Sequence, residues 1–163
     1  MTVNRGRIII VDNDVLAYIF EEIYDIDKNL FNKVISFLVL GNAAIWIPQT
    51  VKSEFLNSPK YKRRRKRRLE KILNMYINFK ECPITVSSNE INSISPYEND
   101  KGEADGIMQG QKALLSDKFG IFDYHFLSND RKALTKAENM NLIPYPYQNL
   151  KERFREVGII LPL

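Results

Sequence analysis

The chain has 163 residues, 44% of them hydrophobic and 27% charged, and its 24 basic side chains outnumber 20 acidic ones for a net charge of +4. This length suits a single domain over residues 1–163 with one sizeable core, and the composition excludes a disordered or fibrous chain. The longest apolar runs are too short to span a bilayer, and the arginines near the start precede only four apolar residues before Asp12, so neither a membrane protein nor a secretory signal is expected.

Taken in chain order, Arg7 to Val11 reads as a buried first strand, followed by a helix from about Val15 and another over Asn29–Leu40 that Gly41-Asn42 stops. Ala44–Ile47 reads as the second strand. Pro48-Gln49-Thr50 opens a short helix carrying Val51, Glu54 and Phe55. Pro59 to Phe79 has helical period through Leu69, Ile72, Leu73 and Tyr76. Glu81 to Asn99 reads as an irregular loop with a short strand at Ile84–Val86. Asp100 to Glu103 has the form of a capping box and starts a helix to about Phe119. Tyr124–Leu127 is then a central strand, Asp130–Met140 a helix, Leu142–Ile143 a short strand and Gln148–Val157 a terminal helix. Strands alternating with helices in this way predict an α/β domain with a central, mostly parallel sheet.

The lone cysteine, Cys82, excludes an internal disulfide and a cysteine-based zinc site, which fits a reducing cytoplasm. His125 is the only histidine, so multi-histidine metal sites within one chain are excluded and carboxylates become the expected carriers of catalysis. Sites in parallel sheets form at the carboxyl ends of strands, which singles out Asp12 after Ile8-Ile9-Ile10-Val11 and Asp130 after Phe126-Leu127-Ser128-Asn129. Glu54 and Asp105 lie in the first turns of their helices. Four carboxylates brought together need a cation to offset their repulsion, and oxygen donors suit Mg²⁺ or Mn²⁺, which can activate water against a phosphodiester. Each acid alone also has a structural reading as a helix cap or a first-turn acid.

These segments carry a resemblance. IIIVDNDVLAYIF resembles the opening strand and acid of PIN-domain nucleases, WIPQTVKSEFL their second acidic segment, GEADGIMQGQKA a Gly-Glu-Ala-acid helix of a subgroup, and FLSNDRKAL their fourth element. They occur in the family's order over about half the chain, with residues 57–99, the basic helix and loop, outside them. The resemblance implies a three-layer α/β/α fold and a Mg²⁺- or Mn²⁺-dependent ribonuclease, many of whose relatives are toxins held by an antitoxin and are homodimeric. It implies Asp12, Glu54, Asp105 and Asp130 as the acidic set, with metal on Asp12, Asp105 and Asp130 and support from Ser128, Asn13 and Glu103. Glu103 and Asp105 are two apart on one helix and do not share a face, so they are not equivalent ligands. Asn13 stands where the family has Ser or Thr, and Asp14, where Asn or Ser is common, is an extra acid. Gly106 and Gly110 replace good helix formers at about 1 kcal/mol each.

Lys60 to Arg68 holds eight basic residues and no acid, and the remaining 16 basic residues face 20 acidic ones, a balance of −4. Lys60, Lys62, Arg63, Arg64, Arg65, Arg67 and Arg68 are therefore the expected RNA contacts, against the plainer reading of a solvated charge run. Two other functions compete. Asp12-Asn13-Asp14 also resembles the Asp-x-Asp motif of haloacid-dehalogenase-type phosphatases, and a PIN-like module without catalysis could bind RNA through the basic segment alone.

Overall fold

The computed structural model describes residues 6–17, 29, 30, 32–34, 36, 43–57, 62–75, 79–94 and 101–160. The helix expected over Asn29–Leu40 is thus described in part, as helical residues between 29 and 36, while Lys60 and the expected cap Asp100 lie outside the described residues. Five strands, β1 (Gly6–Val11), β2 (Ala43–Ile47), β3 (Phe79–Glu81), β4 (Phe122–Ser128) and β5 (Ile143–Pro146), form one sheet in the order β3-β2-β1-β4-β5. Every pairing is parallel, with Ile9 opposite Ile45 on one side and His125 on the other. The helices are α1 (Asn13–Ala17), α2 (Gln49–Leu56), α3 (Lys62–Met75), α4 (Ser88–Ile94), α5 (Lys101–Ser116), α6 (Arg131–Asn139) and α7 (Tyr147–Glu156). Among the described residues, no helix is long and apolar enough to cross a membrane.

The continuous apolar run of β1 follows from burial on both faces of a central strand, since successive side chains point to opposite sides. Ile9 and Val11 join Ile45, Ile47, Leu127, Val51, Phe55, Leu69 and Phe154 in a core beneath α2, α3 and α7. Ile8 and Ile10 join Trp46, Tyr124, Phe126, Ile107 and Ala133 in a second core beneath α5 and α6. Two apolar layers separated by one sheet make the three-layer α/β form. Gly106 and Gly110 face this second core. A Cβ on Gly110 would stand 2.7 Å from Ile10 Cδ1 and 2.8 Å from Leu142 Cδ1, and one on Gly106 would be 3.2 Å from Phe126 and Pro48. The glycines therefore let α5 lie close on the sheet.

Three elements differ from expectation. The edge strand on one side is Phe79–Glu81, while Ile84–Val86 has no regular structure. Phe79 is fully buried, and the Cys82 N–H donates to the Ile47 carbonyl at 2.8 Å, extending the pairing beyond the strand. Ser88–Ile94 is a helix inside the expected loop, opened by a capping box in which Ser87 N–H donates to Glu90 and Glu90 N–H to Ser87 Oγ, at 3.1 and 3.2 Å. At the other edge β5 runs through two prolines to Pro146, where a strand tolerates them because one side needs no ladder donors.

Candidate functional site

From β1 the chain passes to β2 on one side and reaches β4 on the other only after residue 121, so the strand order reverses between β1 and β4. The crevice outside the carboxyl ends of these two strands is where parallel sheets form sites. Asp12 and Ser128 stand on its two sides. Asp12 is fixed there through its backbone, its N–H donating to the Leu127 carbonyl at 2.9 Å and its own carbonyl accepting the Leu16 N–H at 3.0 Å as α1 begins. Its carboxylate accepts the Asn13 N–H on Oδ1 at 2.8 Å and the hydroxyl of fully buried Ser128 on Oδ2 at 2.9 Å. Ser128 Oγ in turn accepts the Asp130 N–H at 3.0 Å.

Helices that follow parallel strands begin at the carboxyl end of the sheet, so three helix starts also meet here, each met by an acid. Pro48 at the N-cap of α2 offers no side-chain acceptor. Asp105, reaching across from α5 and 3% exposed, accepts the Thr50 N–H at 3.0 Å instead. Glu54 of α2 returns the favour to α5, accepting the Gly102 N–H at 3.2 Å. A Cβ on Gly102 would lie 2.7 Å from Glu54 Oε2, so a larger residue there would push the Glu54 carboxylate aside. Asp130 caps its own helix, accepting the Lys132 N–H at 2.9 Å. Carboxylates are favoured at these positive helix ends. A carboxylate has about four acceptor positions, so each acid keeps capacity beyond the bond that orients it.

Electrostatics link the acids to one another. Burial, then Asp14 and more weakly Asp130, push Asp12 up to about 6 despite the opposing Ser128 and Asn13 hydrogen bonds. Asp14 is raised by burial, against hydrogen bonds from Asn129 and Val15, with Asp130 adding to the rise. Glu54 is exposed by surface area, yet enough protein surrounds its carboxyl for desolvation to raise it, with Asp12 and Asp105 adding to the effect. Asp14 thus belongs to the cluster, although sequence reasoning treated it as a departure. The signal that could have placed it was its spacing two residues after Asp12 at the same strand end.

Among the described residues no three acidic, histidine or cysteine side chains are gathered closely enough to form a ready metal site. The donor chemistry nevertheless fits a hard divalent cation: carboxylate oxygens, of which those of Asp12, Asp14 and Glu54 are raised first by burial and then by neighbouring acids, and Asn13 Oδ1, a buried acceptor with no hydrogen-bond partner among the described residues.

Glu103 is directed elsewhere. Its carboxylate, 9% exposed, pairs with Lys136 of α6 at 3.0 Å, tying α5 to α6 beside the second core. Of the expected RNA contacts, Lys62, Arg63, Arg64, Arg65, Arg67 and Arg68 lie in the first half of α3, and Lys66 and Arg67 are exposed. α3 packs on the sheet through buried Leu69 and partly buried Leu73, and only three residues separate Met75 from the start of β3. A helix of 14 residues is about 20 Å long, so its basic start is directed toward the carboxyl ends of the strands, the end that holds the acids. His125 is half-buried on the opposite side of β4 from Phe126, edge-on to Tyr145 at 5.6 Å, and neither ring nitrogen has a hydrogen-bond partner among the described residues. It stands in the sheet, away from the acidic crevice. No protein-family model matches this chain, and no curated protein matches it.

Proposed function

We propose that this chain is a Mg²⁺- or Mn²⁺-dependent endoribonuclease of the PIN type, acting through Asp12, Glu54, Asp105 and Asp130. The observation that carries the reading is Asp12. The other three acids each cap a helix and would be at home in a protein without catalysis, but Asp12 sits at the centre of the crevice and is pushed up to about 6 by burial and neighbouring acids. A carboxylate kept where its ionised form is disfavoured suits a cation, and perturbed groups of this kind concentrate at functional sites.

In this reading Asp12, Asp105 and Asp130 hold the metal, Glu54 completes the acidic set, and Ser128 orients Asp12. A bound divalent ion supplies Lewis acidity toward the phosphodiester and lowers the pKa of a water. The chain's own part is to fix the acids by hydrogen bonds and to present α3 to the backbone of the RNA, where its cations offset phosphate charge. An acidic antitoxin segment would compete for that helix, and the buried Cys82 thiol, raised to about 11 chiefly by burial, is unreactive in the cytoplasm where we place the protein. The phosphatase alternative asks Asp14 to deliver a proton, but both of its oxygens accept backbone N–H groups, and protonation would weaken one of these bonds.

The test is cleavage of mixed structured and single-stranded RNAs with Mg²⁺ or Mn²⁺, with chelator, and with Asp12→Asn beside the unaltered protein. Metal-dependent cutting that the variant lacks is expected. Folded protein that cuts none of the substrates with either metal would overturn the proposal.

A further inference from the structure

The loop after β1 and the loop after β4 are joined by two side-chain straps. In the first, Ser128 Oγ donates to Asp12 and accepts the Asp130 N–H. The second runs through Asp14. Its Oδ2 accepts the Asn129 N–H at 3.0 Å, across 115 residues of sequence, and its Oδ1 accepts the Val15 N–H at 2.7 Å in the first turn of α1. Asn129 and Asp130 are exposed residues between the end of β4 and the start of α6, where the sheet ladder no longer holds them. Their backbone amides are secured by Asp14 and Ser128.

Resting on the nuclease reading, we propose that Asp14 is a positioning residue, which clamps the Ser128–Asp130 turn to α1 through its acceptor oxygen and so presents the Asp130 carboxylate beside Asp12. Both of its oxygens face backbone donors, one on each side of the crevice, and this is the arrangement of a brace. The clamp requires an N–H acceptor only at the Asn129 end, which an amide oxygen supplies; the amide nitrogen gives up the bond to the adjacent Val15 N–H, but residue 14 is joined to α1 by the chain itself. A third charge next to Asp12 and Asp130 is not part of the role.

The experiment compares Asp14→Ala and Asp14→Asn by three readouts: backbone amide exchange at Asn129 and Asp130 in metal-free protein, Mn²⁺ binding by calorimetry, and RNA cleavage. Asp14→Ala should speed exchange at Asn129 at least about tenfold and weaken Mn²⁺ binding by about 10- to 100-fold, as loss of a group that orients metal ligands does. Its kcat should fall while KM for RNA holds, because α3 is untouched. Asp14→Asn should keep all three within about threefold. Equal loss of Mn²⁺ binding in both variants would overturn the proposal and make Asp14 a ligand acting through its charge. Unchanged exchange at Asn129 in Asp14→Ala would overturn it as well, because there would be no clamp. Failure of the unaltered protein to bind Mn²⁺ or cut RNA would instead sink the nuclease reading, and the amide exchange would still decide whether the clamp exists.

Discussion

Replacing Asp12 with Asn should make the metal-free protein more stable while removing its activity. Asp12 is raised from 3.8 to about 6 in the folded chain. Roughly two units correspond to about 3 kcal/mol of disfavour for the ionised folded state at neutral pH. The sign follows from proton counting. Between about pH 4 and 6 the folded state holds a proton that the unfolded state has released, so the penalty is fully present above the folded value and fades as pH falls toward the unfolded one. An amide at residue 12 carries no charge and keeps an acceptor for Ser128 or Asn13, although neutral acceptors hydrogen-bond less strongly, by about 1 kcal/mol. Urea denaturation in chelator near pH 7.5 should therefore show a net gain of about 2 kcal/mol for Asp12→Asn. Near pH 4.5 most of that gain should be gone. Mn²⁺ at about 100 times its Kd should reverse the order, stabilising the unaltered protein by about 2.7 kcal/mol and the variant by much less. A variant less stable than the unaltered protein in chelator at neutral pH, or a gain that persists undiminished in acid, would refute the electrostatic argument.

Gly110→Ala should destabilise the protein by up to about 2 kcal/mol in chemical denaturation, because crowding against Ile10 and Leu142, about 1–3 kcal/mol, outweighs the gain of about 1 kcal/mol in helix propensity. Gly102→Ala should leave the fold in place but displace Glu54, and its cleavage rate should fall at least about tenfold in the assay that tests Asp12. His125 is lowered from 6.5, first by burial and then by Arg7, so its contribution to stability is full above pH 6.5 and is lost as pH falls through the folded value. Relative to His125→Phe, the unaltered protein should lose stability as pH drops from about 7 to 5 in denaturant titrations. Neutralising Arg63 to Arg68 should weaken RNA binding and flatten its salt dependence by about 0.7 log unit per log salt for each lost contact to single strands, as measured by filter binding or anisotropy.

The parts of this architecture that were legible in the sequence are those written in consecutive residues. Ile8 to Val11 followed by Asp12 announces a central strand with an acid at its carboxyl end, and the alternation of such runs with helical period announces a parallel sheet. Phe79-Lys80-Glu81 is a three-residue edge strand in which one aromatic side chain supplies the burial, too short for any period to show. Ser87 and Glu90, by contrast, form a capping box that could have been read. Asp105 and Glu54 were chosen as acids near helix starts, yet each caps the other's helix, an exchange that only the packing of α2 on α5 reveals. Likewise Glu103 was assigned near the acids, but its partner Lys136 comes from a helix 33 residues further on. The brace from Asp14 to Asn129 spans 115 residues, and no local pattern encodes it.

The pairing of β1 with β4 has a consequence for the order of events during synthesis. Asp12 is made well before its hydroxyl partner Ser128, which lies 116 positions later. Until β4 has emerged from the ribosome and paired with β1, the crevice has only one wall and the acids lack their shared arrangement. Closing so long a loop is entropically costly and belongs to the late steps of folding. A growing or prematurely released chain that stops before β4 therefore carries Asp12, Glu54 and Asp105 without the frame that unites them. The nuclease proposed above would thus be inactive toward the RNA of its own ribosome until β4 had emerged and paired with β1.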